Sequence, residues 1–115
     1  MTKNKNDNFL DRIPGRPEHI GWKMDENSVV TLEIENKGIV NRIAQKLLKK
    51  PKISYVHLDE TGSFVWNIMD GSKNIIELAE EVKAKFGDAA NPLYERLVKY
   101  FQILDSYGFV KWIEK

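Results

Sequence analysis

The sequence predicts an α+β domain: a small three-stranded antiparallel sheet covering one side of a three-helix, winged-helix-like bundle. Two observations predict it. Apolar and polar residues alternate over 29–35 and again over 53–58, as strands with one buried face require. From Asp59 onward the apolar residues recur at three- and four-residue spacing, in blocks separated by Asp70-Gly71 and by Gly87. That is the pattern of amphipathic helices joined by short turns.

The elements follow in order. Residues 1–20 are polar at the start and carry Pro14, Gly15 and Pro17, which predicts a flexible N-terminal tail. Residues 21–115 then form a single domain. Gly21-Trp22-Lys23-Met24 is a short first strand, and Asp25-Glu26-Asn27-Ser28 is turn chemistry. Val30, Leu32 and Ile34 face one way in the second strand, and Thr31, Glu33 and Glu35 the other. Asn36-Lys37-Gly38 breaks it. Ile39, Val40, Ile43, Ala44, Leu47 and Leu48 are spaced for a linker helix over 37–52, with Pro51 as its stop.

Residues 53–58 form the third strand and feed directly into the first of three helices. Asp59 is its N-cap, with Glu60 favourable in the first turn. This helix buries Phe64, Val65, Ile68 and Met69, leaves Trp66 partly covered, and ends at Asp70-Gly71. Asn74 with Glu77 forms a capping box before a stripe of Ile75, Leu78, Ala79, Val82 and Phe86, closed by Gly87. Asn91-Pro92 reads as a cap followed by proline at the first helical position. Leu93, Leu97, Tyr100, Phe101, Leu104 and Tyr107 make the third stripe, and Gly108 stops it. Phe109 to Trp112 returns as a short extended segment.

Composition limits the function. A chain of 115 residues, 42% apolar and 30% charged, is one small globular domain. It contains no cysteine, which removes disulfides, cysteine-ligated zinc, iron–sulfur clusters and a thiol nucleophile. Residues 1–8 carry no apolar run, and nothing approaches the apolar length of a membrane span. A soluble cytoplasmic protein is expected. The net charge of +1 is low for a nucleic-acid clamp.

Charge is nevertheless uneven. Residues 24–36 carry four acids and no base, whereas 37–52 carry six bases and no acid. Arg42, Lys46, Lys49, Lys50 and Lys52, with Lys37, are either the solvated face of the linker helix or a docking patch for an acidic surface, a peptide or nucleic acid.

The inventory of reactive groups is empty. His19 and His57 are far apart in sequence, and His57 points away from Val56 and Leu58 in its strand. Asp59-Glu60 is a cap and a dipole partner rather than a catalytic pair. Gly62 and Gly71 are isolated, and Ser63 has no adjacent base. No catalytic residue, metal or cofactor is expected. What remains is binding surface. If 53–58 is an edge strand, its open side is a template for an extended peptide. The third helix beside it would complete a groove lined by Tyr55, Leu97, Tyr100, Phe101 and Leu104.

The run His57-Leu58-Asp59-Glu60-Thr61-Gly62-Ser63-Phe64-Val65-Trp66 is followed by Met69-Asp70-Gly71, then by Ile75-Ile76-Glu77-Leu78-Ala79, and later by Leu104, Gly108, Phe109 and Val110. This ordered series resembles the coenzyme PQQ synthesis protein D family over about residues 53–112, with Leu58-Asp59 standing where the family has Leu-Asn. The linker between the second and third strands is longer than the family's. The resemblance implies a non-catalytic recognition element that holds the leader of a ribosomally made precursor peptide. The peptide would be presented to a modifying enzyme, often a radical SAM protein. It places the leader as an added strand on Ile53, Ser54, Tyr55, Val56, His57 and Leu58, against the outer face of the third helix. Two other functions fit the sequence: a winged-helix nucleic-acid-binding regulator, or a scaffold subunit docking on a folded enzyme. Arg96 and Lys99 are offset on the third helix by Glu95 and Asp105, which favours the peptide.

Overall fold

The computed structural model describes residues 9–36 and 52–114. Its strands are β1 (Ile13–Gly15), β2 (Gly21–Met24), β3 (Val30–Asn36), β4 (Lys52–His57) and β5 (Lys111–Ile113). Its helices are α1 (Glu60–Ile68), α2 (Ile75–Phe86) and α3 (Leu93–Ser106). The three-stranded antiparallel sheet expected from the alternation is present, in the order β2-β3-β4, beside the three expected helices. A second sheet pairs β1 with β5. The linker helix over 37–52 and the basic residues Arg42, Lys46, Lys49 and Lys50 lie outside the described residues, and Lys52 opens β4. Among the described residues no helix is long and apolar enough to cross a membrane.

The alternation in β3 sorts its side chains as expected. Val30 and Leu32 are fully buried, while Thr31, Glu33 and Glu35 lie on the outer face. The β2–β3 turn closes on the Asp25 carboxylate, which accepts the backbone N–H of Asn27 at 2.8 Å and of Val29 at 3.0 Å. α1 begins where Asp59 accepts the Gly62 N–H at 2.7 Å. α2 begins with the reciprocal Asn74–Glu77 box, both bonds at 2.8 Å. These caps satisfy amides that a helix leaves unpaired at its start.

Three expectations are corrected. Residues 9–20 are not a loose tail. Pro14, Gly15, Pro17 and Ile20 are buried, and β1 pairs Ile13 with Ile113 and Gly15 with Lys111. The Arg12 guanidinium lies over the rings of Phe9 and Trp112, at 5.1 and 5.5 Å. Arg16 Nη1 donates to the carbonyls of Trp66, Asn67 and Met69 at 2.9, 3.0 and 3.2 Å, and the same guanidinium covers Trp22. A cation at these carbonyls offsets the negative end of α1.

The second correction concerns Trp66, which is wholly buried, while Phe64 and Ile68 are only half-buried. Trp22 of β2 meets Trp66 edge-to-face at 6.4 Å and roofs a position that helical spacing placed at the margin. Third, α3 starts at Leu93 with Pro92 in the cap position and no side-chain cap bond, so Asn91 does not cap it.

Sheet and helices join through one hydroxyl. Val30 N–H donates to Ser63 Oγ at 2.8 Å, and Ser63 Oγ–H donates to the Leu58 carbonyl at 3.3 Å. The hydroxyl thus stands between two backbone groups that would otherwise bond each other in the β3–β4 ladder. Ser63 is completely buried. Replacing it with alanine strands a buried amide and weakens a carbonyl's bonding, at a cost of about 1–3 kcal/mol. Urea unfolding of Ser63→Ala is therefore expected to shift to a lower midpoint with an unchanged slope, and an unshifted midpoint would contradict the bridge.

Candidate peptide-binding groove

β4 is an edge strand among the described residues. Its register on β3 runs from Thr31 opposite His57 to Asn36 opposite Lys52. One step further, Leu58 N–H donates to the Val30 carbonyl at 2.9 Å. In an antiparallel pair, bonded and non-bonded positions alternate. Ser54, Val56 and Leu58 therefore turn their backbone groups toward β3, and Ile53, Tyr55 and His57 turn theirs to the open edge. Side chains alternate too. Tyr55 is 60% exposed, and with Ile53 and His57 it lies on the outer face of the sheet. His57 Nδ1 meets Thr31 Oγ1 there at 2.7 Å. Val56 and Leu58 face the other way, half-buried against the core.

On that inner side an open apolar cleft of about 390 Å³ separates β4 from α3. Val56 and Leu58 form its strand wall, and Tyr100, Ile103, Leu104 and Tyr107 its helix wall. Phe109 closes the end. Ile103 is 47% and Tyr107 68% exposed, so the helix wall of the cleft presents apolar surface to solvent. The position of Phe109 is set by Gly108, whose φ of +76° continues the chain where other residues are strained. Phe109 N–H then reaches back to the Leu104 carbonyl at 2.8 Å and Gly108 N–H to Asp105 at 3.1 Å, the Schellman pattern. Phe109 comes to rest stacked on Tyr107, with ring centroids 5.4 Å apart.

The structure brings together only part of the set that the sequence nominated. Val56, Leu58, Tyr100 and Leu104 line the cleft. Tyr55 does not: it stands on the opposite face of the sheet, and only its backbone belongs to the edge. Leu97 at 3% exposure and Phe101 at 0% turn into the core and do not line this cleft. Ile103, Tyr107 and Phe109 are the side chains that sequence reasoning missed. The exposed half of the third stripe was the available signal, but spacing alone does not tell the core side of a helix from a cleft beside it.

Tyr100 holds the helix wall against the start of α1. Its hydroxyl donates to the Gly62 carbonyl at 2.8 Å. Burial, and then the nearby Asp59 carboxylate, push its pKa well above the ordinary tyrosine value. The residue at 62 must be small, because a Cβ there would lie 2.9 Å from Asp59 Oδ1 and 3.0 Å from the Tyr100 ring. Among the described residues no cluster of three His, Asp or Glu side chains is placed to hold a metal ion.

The family model for coenzyme PQQ synthesis protein D (PqqD) matches residues 29–110. The chain belongs to the PqqD family. The match begins at β3 and ends just before β5, so it spans the sheet edge, all three helices and the cleft. No curated protein and no solved structure matches the chain. PqqD proteins are non-catalytic accessory proteins that bind a precursor peptide and partner a biosynthetic enzyme.

Two outcomes test the geometry. Gly62→Ala forces apart the Asp59 cap and the Tyr100 ring and is expected to lower stability by about 1–3 kcal/mol, read as a shifted denaturant midpoint. The raised pKa of Tyr100 means that the folded state keeps a proton the unfolded chain loses above about pH 10. Stability should therefore fall as pH rises beyond that point, and Tyr100→Phe should flatten the decline. An identical alkaline profile in both proteins would remove Tyr100 as its cause.

Proposed function

We propose that the protein captures the leader of a ribosomally made precursor peptide by adding it as a strand to the open edge of β4. The bound peptide is presented to a modifying enzyme, of the radical SAM class that the family resemblance implies. The observation that carries this reading is that a strand edge paired by no described residue coincides with an exposed apolar cleft along the same strand. An extended peptide on the edge takes main-chain hydrogen bonds from Ile53, Tyr55 and His57, and its alternate side chains enter the cleft. Family membership supports the same assignment.

Nucleic-acid binding fits this face less well. Val56, Leu58, Ile103, Tyr107 and Phe109 have no charge to offer a phosphate, and phosphate contacts dominate such interfaces. A scaffold that docks only on a folded enzyme has no need of an open edge.

The test is an amide-resolved NMR titration with short peptides from small reading frames encoded near the gene, and with a DNA duplex as control. One peptide should move the amides of residues 53–58, the Ile103 side of α3 and Phe109, while DNA moves none of them. Movement by DNA alone would transfer the protein to nucleic-acid binding, and silence from both would point to a folded partner.

Two substitutions separate the edge from the cleft. Because the Tyr55 N–H faces the open side, Tyr55→Pro removes an outward donor and leaves the β3 ladder intact. Ile103→Glu places a charge in the cleft without entering the core, which Leu97→Asp would do. Each is expected to weaken the peptide at least about tenfold, equivalent to about 1.4 kcal/mol. Undiminished binding in both, in folded protein, would refute strand addition.

A further inference from the structure

The cleft does not end at Tyr100. On the far side of that ring, where β4 has given way to α1, lies a second pocket of about 230 Å³. Tyr100 and Ile103 line both hollows, so the two are continuous across a single ridge. A dry apolar cavity of about 150 Å³ holds a benzene ring, so this one accepts a branched aliphatic side chain. Its floor is apolar: Val65, Val82, Ala90 and Leu97 are all buried. Its rim is cationic on the α3 side.

Arg96 and Lys99 both line the rim. Arg96 spends one nitrogen on the Ala89 carbonyl at 3.0 Å and keeps its other donors. Lys99 is exposed and forms no ion pair among the described residues. Asp59, which caps α1 by accepting the Gly62 N–H, is the one acid among the lining residues, so two positive charges face one negative. An apolar floor beside two cations is complementary to an aliphatic side chain next to a carboxylate.

We propose that this pocket is a second peptide subsite, taking an aliphatic residue with an adjacent Asp or Glu just beyond the end of the added strand. The inference rests on the peptide-binding reading above and names the sequence chemistry that the pocket selects. For a ligand antiparallel to β4, the residues seated here precede the paired segment, because the pocket lies at the Leu58 end of the groove.

The probes are capped dipeptides, too short to pair along β4: acetyl-Leu-Glu-amide, acetyl-Leu-Lys-amide and acetyl-Ser-Glu-amide. In an amide-resolved NMR titration the Leu-Glu probe should move Thr61, Leu93 and Lys99 with a millimolar Kd and leave residues 53–57 still. An exposed ion pair contributes about 0.2–1 kcal/mol, so Leu-Lys should bind roughly 1.4- to 5-fold more weakly. Ser-Glu should bind more weakly again, having no side chain for the floor. Lys99→Glu, a surface change, should remove or reverse the preference for Leu-Glu over Leu-Lys.

No movement at the pocket, or equal affinity for all three probes, overturns the subsite. So does a preference untouched by Lys99→Glu. The two readings fail separately: a dipeptide response without any strand-binding peptide overturns the groove alone, and strand binding beside a silent pocket overturns the subsite alone.

Discussion

The hydroxyl of Ser63 occupies the place where β3 and β4 would otherwise close their last backbone bond. By accepting from Val30 and donating to Leu58 it carries the ladder through a helix residue, and so fixes the first turn of α1 to the end of the sheet. Everything that borders the candidate site follows from that junction. Asp59 caps α1 within the same turn, Gly62 leaves room for the Tyr100 ring, and the Tyr100 hydroxyl ties α3 to the Gly62 carbonyl. The distance between β4 and α3, and hence the width of the cleft, is set by four hydrogen bonds and the absence of one side chain.

Opposite ends of the domain are held by different physics. The junction near Ser63 is polar and buried, so its bonds are costly to lose. The N-terminal segment is fastened by stacked cations: Arg12 over Phe9 and Trp112, and Arg16 over Trp22. Through Arg16 the chain before β2 also reaches the C-terminal carbonyls of α1. Among the described residues β4 is left as an edge, while β1 and β5 pair with each other. An open edge beside exposed apolar surface is an aggregation hazard unless something occupies it, and a peptide that adds as a strand meets both demands at once.

Local chemistry was legible wherever neighbours in sequence are also neighbours in space. Asn74 and Glu77 announce their box because the partners are three residues apart, and alternation in β3 announces a buried face because its side chains divide by parity. β1 was hidden for the converse reason. Ile13-Pro14-Gly15 is a poor strand by propensity and pairs only because β5, about a hundred residues later, lies beside it. Trp66 was placed at the margin of its helix because the indole that roofs it belongs to β2.

The sequence by itself determined the α+β class, the three helices and the caps of the first two, the edge-strand candidate and the absence of cysteine chemistry. These depend on periodicity, on short-range hydrogen bonds and on composition. Only the tertiary structure decided which side of each element does what. A helical stripe states that Leu97, Tyr100, Phe101 and Leu104 share a face, but burial divides that face. Leu97 and Phe101 belong to the core, while Tyr100 and Leu104 are shared with the cleft and joined there by Ile103, Tyr107 and Phe109. The dividing line is drawn by where β4 ends and how closely α3 approaches it. That spacing comes from the contacts of Ser63, Gly62 and Tyr100, residues separated by nearly forty positions, and no local pattern encodes it.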